Sequence, residues 1–196
     1  MKAIGFLFLF ILHNAVSTGQ SLTPKEMDFL RQVLPVACLQ NRIVYCNGVD
    51  TNEIDAMRRS LKEKFKKNII HTKSSDSDQT FILTSKEKQQ TLQYVSGMNK
   101  PLSINGLLDS AIVVSSKELT DFFNTYRADA WSKFYEKYDG VSGYYEFSRP
   151  IFLRDSLCLF YWAQVCNITC GEGHLTFYRL TNNHWKKWFD IYDWIS

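Results

Sequence analysis

Leu157-Cys-Leu-Phe-Tyr-Trp-Ala-Gln-Val165 is apolar at both its odd and its even positions. A run this short, rich in aromatic and branched residues, reads as a strand. Apolar side chains on both faces require it to be central and covered on both sides. The sequence around it offers partners. Tyr144 to Arg149 alternates, with Tyr145, Phe147 and Arg149 on one side and Tyr144, Glu146 and Ser148 on the other. His174 to Leu180 and Trp185 to Tyr192 read as a hairpin about Asn182-Asn183, because asparagine tolerates the positive φ of a two-residue turn. The apolar period changes from helical to alternating at Asp139-Gly140, so residues 140–196 are expected to form a four-stranded antiparallel meander.

The preceding residues are mainly helical. Thr23-Pro-Lys-Glu26, Thr84-Ser-Lys-Glu87 and Ser115-Ser-Lys-Glu118 are capping boxes, each opening a helix. Asp50-Thr-Asn-Glu53 offers another cap, and Ile54, Met57, Leu61 and Phe65 form one apolar stripe on a helix over 51–67. Its other side carries Arg58, Arg59, Lys62, Lys64, Lys66 and Lys67, a pattern compatible with an anionic membrane surface or with a solvated face. Aromatic residues recur at helical spacing from Leu119 to Tyr138, with Asp129 placed to divide that stretch into two helices. Ile43-Val-Tyr45 reads as irregular or extended, and Thr80 to Leu83 and Ala111 to Val114 as short strands. His71-Thr-Lys-Ser-Ser-Asp-Ser-Asp78 has no apolar residue, so it reads as a loop and a subdomain boundary near 71–79. The fold class expected is α+β, with helices packed on one face of the meander.

At the amino end, Lys2 and the apolar run Ile4 to Leu12 lead into the small residues Ala15, Ser17 and Gly19. That is the layout of a secretory signal peptide over residues 1–19, with cleavage after Ser17 or, preferred, after Gly19. Residues 20–196 are then a single exported domain, periplasmic or extracellular, without a transmembrane segment. Removing Lys2 leaves 22 basic against 20 acidic side chains. So small an excess argues against a nucleic-acid partner.

All five cysteines, Cys38, Cys46, Cys158, Cys166 and Cys170, would meet an oxidising compartment. Proximity suggests a Cys166–Cys170 disulfide and, as a second candidate, Cys38–Cys46. Cys158 lies in the most apolar run and reads as a small buried hydrophobe.

Cys166-Asn-Ile-Thr-Cys170-Gly-Glu-Gly-His174 carries the densest chemistry. A metal would need a fourth ligand beside Cys166, Cys170 and His174. His184 is excluded by the hairpin register: pairing Thr181 with His184, Phe177 with Trp188 and His174 with Ile191 sets the histidines roughly 20 Å apart, which leaves Glu172 as the candidate fourth ligand. The C-x-x-x-C spacing does not fit a redox motif, and an acid between the glycines does not fit a phosphate cradle. A disulfide-pinned hairpin loop, its glycines supplying special backbone angles, uses these residues best. No metal and no cofactor are expected. Asn167-Ile-Thr169 is a glycosylation sequon, meaningful only in a eukaryotic source.

Trp131-Ser-Lys-Phe-Tyr-Glu-Lys-Tyr138, Phe147-Ser-Arg149, Cys170-Gly-Glu-Gly173, Trp185 and Trp194-Ile-Ser196 together resemble the C-terminal module of a group of uncharacterised secreted bacterial proteins. Asn167 stands where that group has glycine. The resemblance implies export and a bacterial source, and it brings no activity.

Three functions follow as expectations. The first is a non-catalytic exported domain that binds a protein, glycan or envelope component, with Tyr144, Tyr178, Trp188, Tyr192 and Trp194 as candidate binding rings. The second is an exported hydrolase using Arg149, Glu172 and His174. The third is membrane-surface association through helix 51–67.

Overall fold

In a computed structural model, residues 20–66, 70–74, 77–108 and 110–196 are described. The segment read as a leader, 1–19, and the cleavage positions expected there lie outside the described residues. In chain order the elements are β1 (Gln20–Ser21), α1 (Pro24–Val33), α2 (Val36–Gln40), β2 (Val44–Cys46), α3 (Thr51–Lys66), β3 (Ile70–Ser74), β4 (Ser77–Phe81), α4 (Ser85–Ser96), β5 (Leu102–Ser103), β6 (Ile112–Val114), α5 (Ser116–Tyr126), α6 (Ala130–Lys137), β7 (Tyr144–Phe147), β8 (Ile151–Arg154), β9 (Leu157–Asn167), β10 (Cys170–Thr181) and β11 (His184–Ile195).

Helices and strands combine as an α+β fold should, but the sheet is not a four-stranded meander. It is mixed and seven-stranded, in the order β11-β10-β9-β7-β2-β6, with β8 also pairing with β9. β7 to β11 account for the antiparallel part, while β2 lies parallel to both β6 and β7. A strand of three residues has no readable period, and parallel partners are distant in sequence. Those two facts hid the extension of the sheet.

Helices cover both faces, not one. On one side Leu157, Leu159, Tyr161 and Ala163 of β9 pack with Ile54, Met57 and Leu61 of α3 and Val95 of α4. On the other, Cys158 and Phe160 pack with Phe29 and Leu30 of α1 and with Leu102, Ile104 and Leu108. The two-sided apolarity of Leu157–Val165 is the physical cause. α5 and α6 add a third cluster, in which Leu119 and Phe134 cover Val44, Cys46 and Val114.

All three capping boxes form. Two of their glutamates also fasten the helices to the sheet. Arg149 binds Glu26 through Nε at 2.7 Å and Nη2 at 2.9 Å, and Arg154 binds Glu87 through Nε at 2.6 Å and Nη2 at 2.9 Å. These arginines bracket β8, so α1 and α4 are each tied by the amino end to one end of that strand. Asp50 caps α3, its Oδ1 accepting from the Asn52 and Glu53 amides at 2.8 and 3.4 Å.

Three local expectations need correction. Within the segment read as a loop at 71–78, residues 71–74 lie in β3 and residues 77–78 in β4, an antiparallel pair whose register runs from Ile70 opposite Phe81 to Ser74 opposite Ser77. Backbone pairing can order a polar segment that has no apolar period. The break between α5 and α6 falls where expected, but it is made by a 3-10 turn at Arg127–Asp129, with Arg127 at φ 46°, and the Asp129 side chain makes no cap bond. The β10–β11 hairpin turns on Asn182 and Asn183, at φ 52° and 60°, and keeps Thr181 opposite His184. Two register shifts then place Phe177 opposite Phe189 and His174 opposite Asp193. Trp188 and Ile191 are the extra residues, as bulges require.

The free edge of β11 is blunted by side chains. Gln32 Oε1 accepts from the Trp185 amide at 2.9 Å, and the Lys64 ammonium donates to the Ile191 carbonyl.

Candidate functional site

Cys166 and Cys170 form a disulfide at the β9–β10 turn, their Cα atoms 5.2 Å apart. Cys38 and Cys46 do not pair with each other; both are free and buried, as is Cys158. The glycines of this loop serve a purpose other than the one expected. Neither Gly171 nor Gly173 has a positive φ. A Cβ on Gly173 would lie 2.2 Å from Trp194 Nε1, and one on Gly171 would lie 3.1 Å from Trp194 Cζ3. The glycines clear a slot for the indole, which donates from Nε1 to the Tyr161 hydroxyl at 3.3 Å.

Glu172 and His174 come together, with His174 Nε2 3.2 Å from Glu172 Oε2. Asp190, which sequence reasoning missed, completes the group at 3.3 Å from Nδ1. Thr176 Oγ1 donates to Asp190 Oδ1 at 2.5 Å, Lys187 Nζ lies 2.7 Å from Oδ2, and the Trp162 ring stands 5.3 Å from the imidazole. Asp190 is sixteen residues from His174, and only the bulged register brings it alongside. Arg149 belongs elsewhere. β9 separates β7 from β10, which sets those two strands about 10 Å apart, and the guanidinium engages Glu26 and the Ser21 carbonyl. His184 stands at the Asn182-Asn183 turn, its Nδ1 2.9 Å from the Asn182 carbonyl oxygen. Among the described residues no three histidine, cysteine or carboxylate side chains are grouped to hold a metal.

The five candidate rings are packing elements. Tyr178 is buried against Phe29, and Tyr144 stacks on Trp131 with centroids 6.1 Å apart. Trp188, Tyr192 and Trp194 are half-buried against the α3 and α4 core. That same core consumes the apolar stripe of α3, since Ile54, Met57 and Leu61 are buried. The helix keeps exposed cations such as Arg59 and Lys62 but no apolar face to insert in a bilayer. Among the described residues no helix is long and apolar enough to cross a membrane.

Beneath Trp194 lies an acid cluster that the sequence did not reveal. Glu146 of β7 is only 7% exposed. Burial, followed by the charges of Asp50 and Glu53, pushes its carboxyl up to about 8, against a partly offsetting hydrogen bond from the Asp50 backbone. Glu53 is also raised, first by burial, although Tyr192, Trp194 and Tyr161 favour its charged form and Asp50 opposes it. Glu53 Oε1 is buried without a hydrogen-bond partner among the described residues. The alternation of Tyr144 to Arg149 does place Glu146 opposite Arg149. With helices expected on one face only, nothing marked that side as buried.

A cleft of about 440 Å3 opens elsewhere, bounded by the carboxyl half of α4, the segment 97–102 and Arg149–Ile151. Met98, Leu102, Pro150 and Ile151 give it an apolar floor, and Gln90 and Gln93 line the α4 wall. Tyr94 shapes the inner end. Its hydroxyl lies 2.7 Å from Ser148 Oγ and donates to the Arg149 carbonyl, while Ser148 Oγ accepts from the Tyr161 amide at 2.9 Å. The Glu26–Arg149 pair makes the opposite wall. None of the first-named sequence candidates except Arg149 reaches this cleft.

No protein-family model, no curated protein and no solved structure matches this chain.

Proposed function

We propose that the chain is an exported domain that binds a ligand without altering it chemically, in the cell envelope or outside the cell, and that the ligand occupies the cleft beside Arg149. One observation carries this reading: a concavity of about 440 Å3 with an apolar floor and amide and charged side chains at its rim. That volume falls in the range of about 300–1,000 Å3 usual for small-ligand sites. The Glu26–Arg149 pair, anchored on both a helix cap and the sheet, holds the wall in place before any ligand arrives. Export rests on the leader-like residues 1–19. The experiment is a ligand screen by thermal shift and native mass spectrometry on residues 20–196, repeated with Gln93→Trp to fill the cleft. Hits that survive unchanged in a folded Gln93→Trp protein would remove the cleft from the proposal.

A second reading, exported hydrolase chemistry, is favoured by the contact between Glu172 and His174. In this version Asp190 takes the place of Arg149 and orients the imidazole through Nδ1, leaving Nε2 beside Glu172 for proton transfer. Chromogenic ester and glycoside substrates test it. Turnover lost in His174→Gln and reduced in Asp190→Asn supports the reading, and turnover unchanged in His174→Gln removes it.

A further inference from the structure

The charges around the cleft do not balance, and the imbalance has chemical consequences. Its lining holds three charged side chains, Glu26, Arg149 and Lys100. Glu26 is consumed by the two bonds from Arg149 and by the amide of Thr23, which it accepts at 2.7 Å. A cationic ligand would therefore have to break a bidentate ion pair and a helix cap to find a carboxylate. Lys100 makes no ion pair among the described residues. Its backbone amide is turned back to the Gly97 carbonyl at 3.2 Å, and its stem passes within 3.9 Å of the place a Gly97 side chain would begin. The Lys100 stem thus runs past Gly97 at the α4 end of the cleft, with its ammonium unpaired among the described residues. The Gln90 and Gln93 carboxamides, exposed on the α4 wall, add neutral donors to the same lining.

The geometry points to an amphiphilic monocarboxylate of the fatty-acyl type as the ligand class, its carboxylate at Lys100 and the two glutamines, its chain on Met98, Leu102, Pro150 and Ile151. This rests on the cleft being the binding site. At about 30 Å3 for each water-sized group, the 440 Å3 volume accommodates about fifteen non-hydrogen atoms, enough for decanoate. A phosphate or sulfate head fits less well, because the guanidinium that would grip it is already engaged.

Isothermal titration of residues 20–196 with decanoate, 1-decanol and decyltrimethylammonium, each below its micellar concentration, tests the assignment. Decanoate is expected to bind saturably and more tightly than the other two. Lys100→Gln should weaken decanoate by about fivefold, the scale of an exposed ion pair, and leave 1-decanol unchanged. Gln93→Trp, with folding checked by circular dichroism, should abolish both. Equal affinity for decanoate and 1-decanol, tighter binding of the cation, or indifference to Lys100→Gln overturns the carboxylate assignment while leaving the cleft as the site. Absence of binding by all three probes, or binding unaffected by Gln93→Trp, overturns the assignment and its location together.

Discussion

Replacing Glu146 by glutamine should stabilise the protein, and by an amount that grows with pH. In the fold the carboxyl is raised from an ordinary 4.5 to about 8, by burial first and by Asp50 and Glu53 next. In the unfolded chain it ionises at its ordinary value. Between those two values the unfolded chain gives up a proton that the folded protein keeps, so wild-type stability falls as pH rises from 4.5 and levels off above 8. At 1.36 kcal/mol per pH unit, that interval sets a ceiling of about 5 kcal/mol. Movement of Glu53 and entry of water would lower the observed figure to about 2–4 kcal/mol. Glutamine cannot ionise, fills nearly the same volume and keeps an oxygen for the Asp50 amide. The two proteins should therefore be nearly equal in stability at pH 4.5 and diverge by pH 9. Urea unfolding at pH 4.5, 6, 7.5 and 9, with the slope checked for constancy, reads the difference directly. A variant less stable than wild type at pH 9, or a difference that does not change with pH, would refute the buried-acid reasoning.

Other substitutions probe other links. Glu87→Gln should cost about 1–2 kcal/mol at pH 7. Arg154 chiefly holds the Glu87 carboxyl down to about 2, so this stability is present above the ordinary 4.5 and is lost as pH falls towards 2, where the variant and wild type should converge in acid denaturation curves. That cost is kept small because Arg154 is 46% exposed. Gly173→Ala should destabilise by about 1–3 kcal/mol by driving a methyl group into the Trp194 indole, with a change in tryptophan emission; unchanged emission and stability would show that the slot is not needed. The double variant Cys166→Ser/Cys170→Ser should lose about 2 kcal/mol in a thermal melt under oxidising conditions, and reduction of the wild type should reproduce that loss.

Several features were legible because they depend on neighbours in the sequence. The three capping boxes need only a hydroxyl and a glutamate three residues apart, and all three form. Asn182 and Asn183 announce a turn because few residues other than glycine accept positive φ. Cys166 and Cys170 are close enough in sequence to be close in space in almost any hairpin. Proximity misled for Cys38 and Cys46, which stay unpaired, and most other failures required counting across strands. Two bulges moved His174 from Ile191 to Asp193 and brought Asp190 to the imidazole, and no local pattern marks them. The roles of Gly171 and Gly173 were missed for the same reason, since the indole they admit comes from another strand.

By itself, then, the sequence determined that Leu157–Val165 is a strand inside a two-sided core, where α1, α3, α4 and α5 begin, and which cysteines join across the β9–β10 turn. Those outcomes follow from backbone stereochemistry and short-range hydrogen bonding, which act over a few residues. Only the tertiary structure decided that β2 and β6 extend the sheet, that helices cover both its faces, and that Glu146 is buried beside Glu53 and Asp50. Only it placed Arg149 with Glu26 at a cleft instead of with Glu172 and His174. Those outcomes depend on desolvation and charge proximity, and both are set by segments that meet only after the chain has folded.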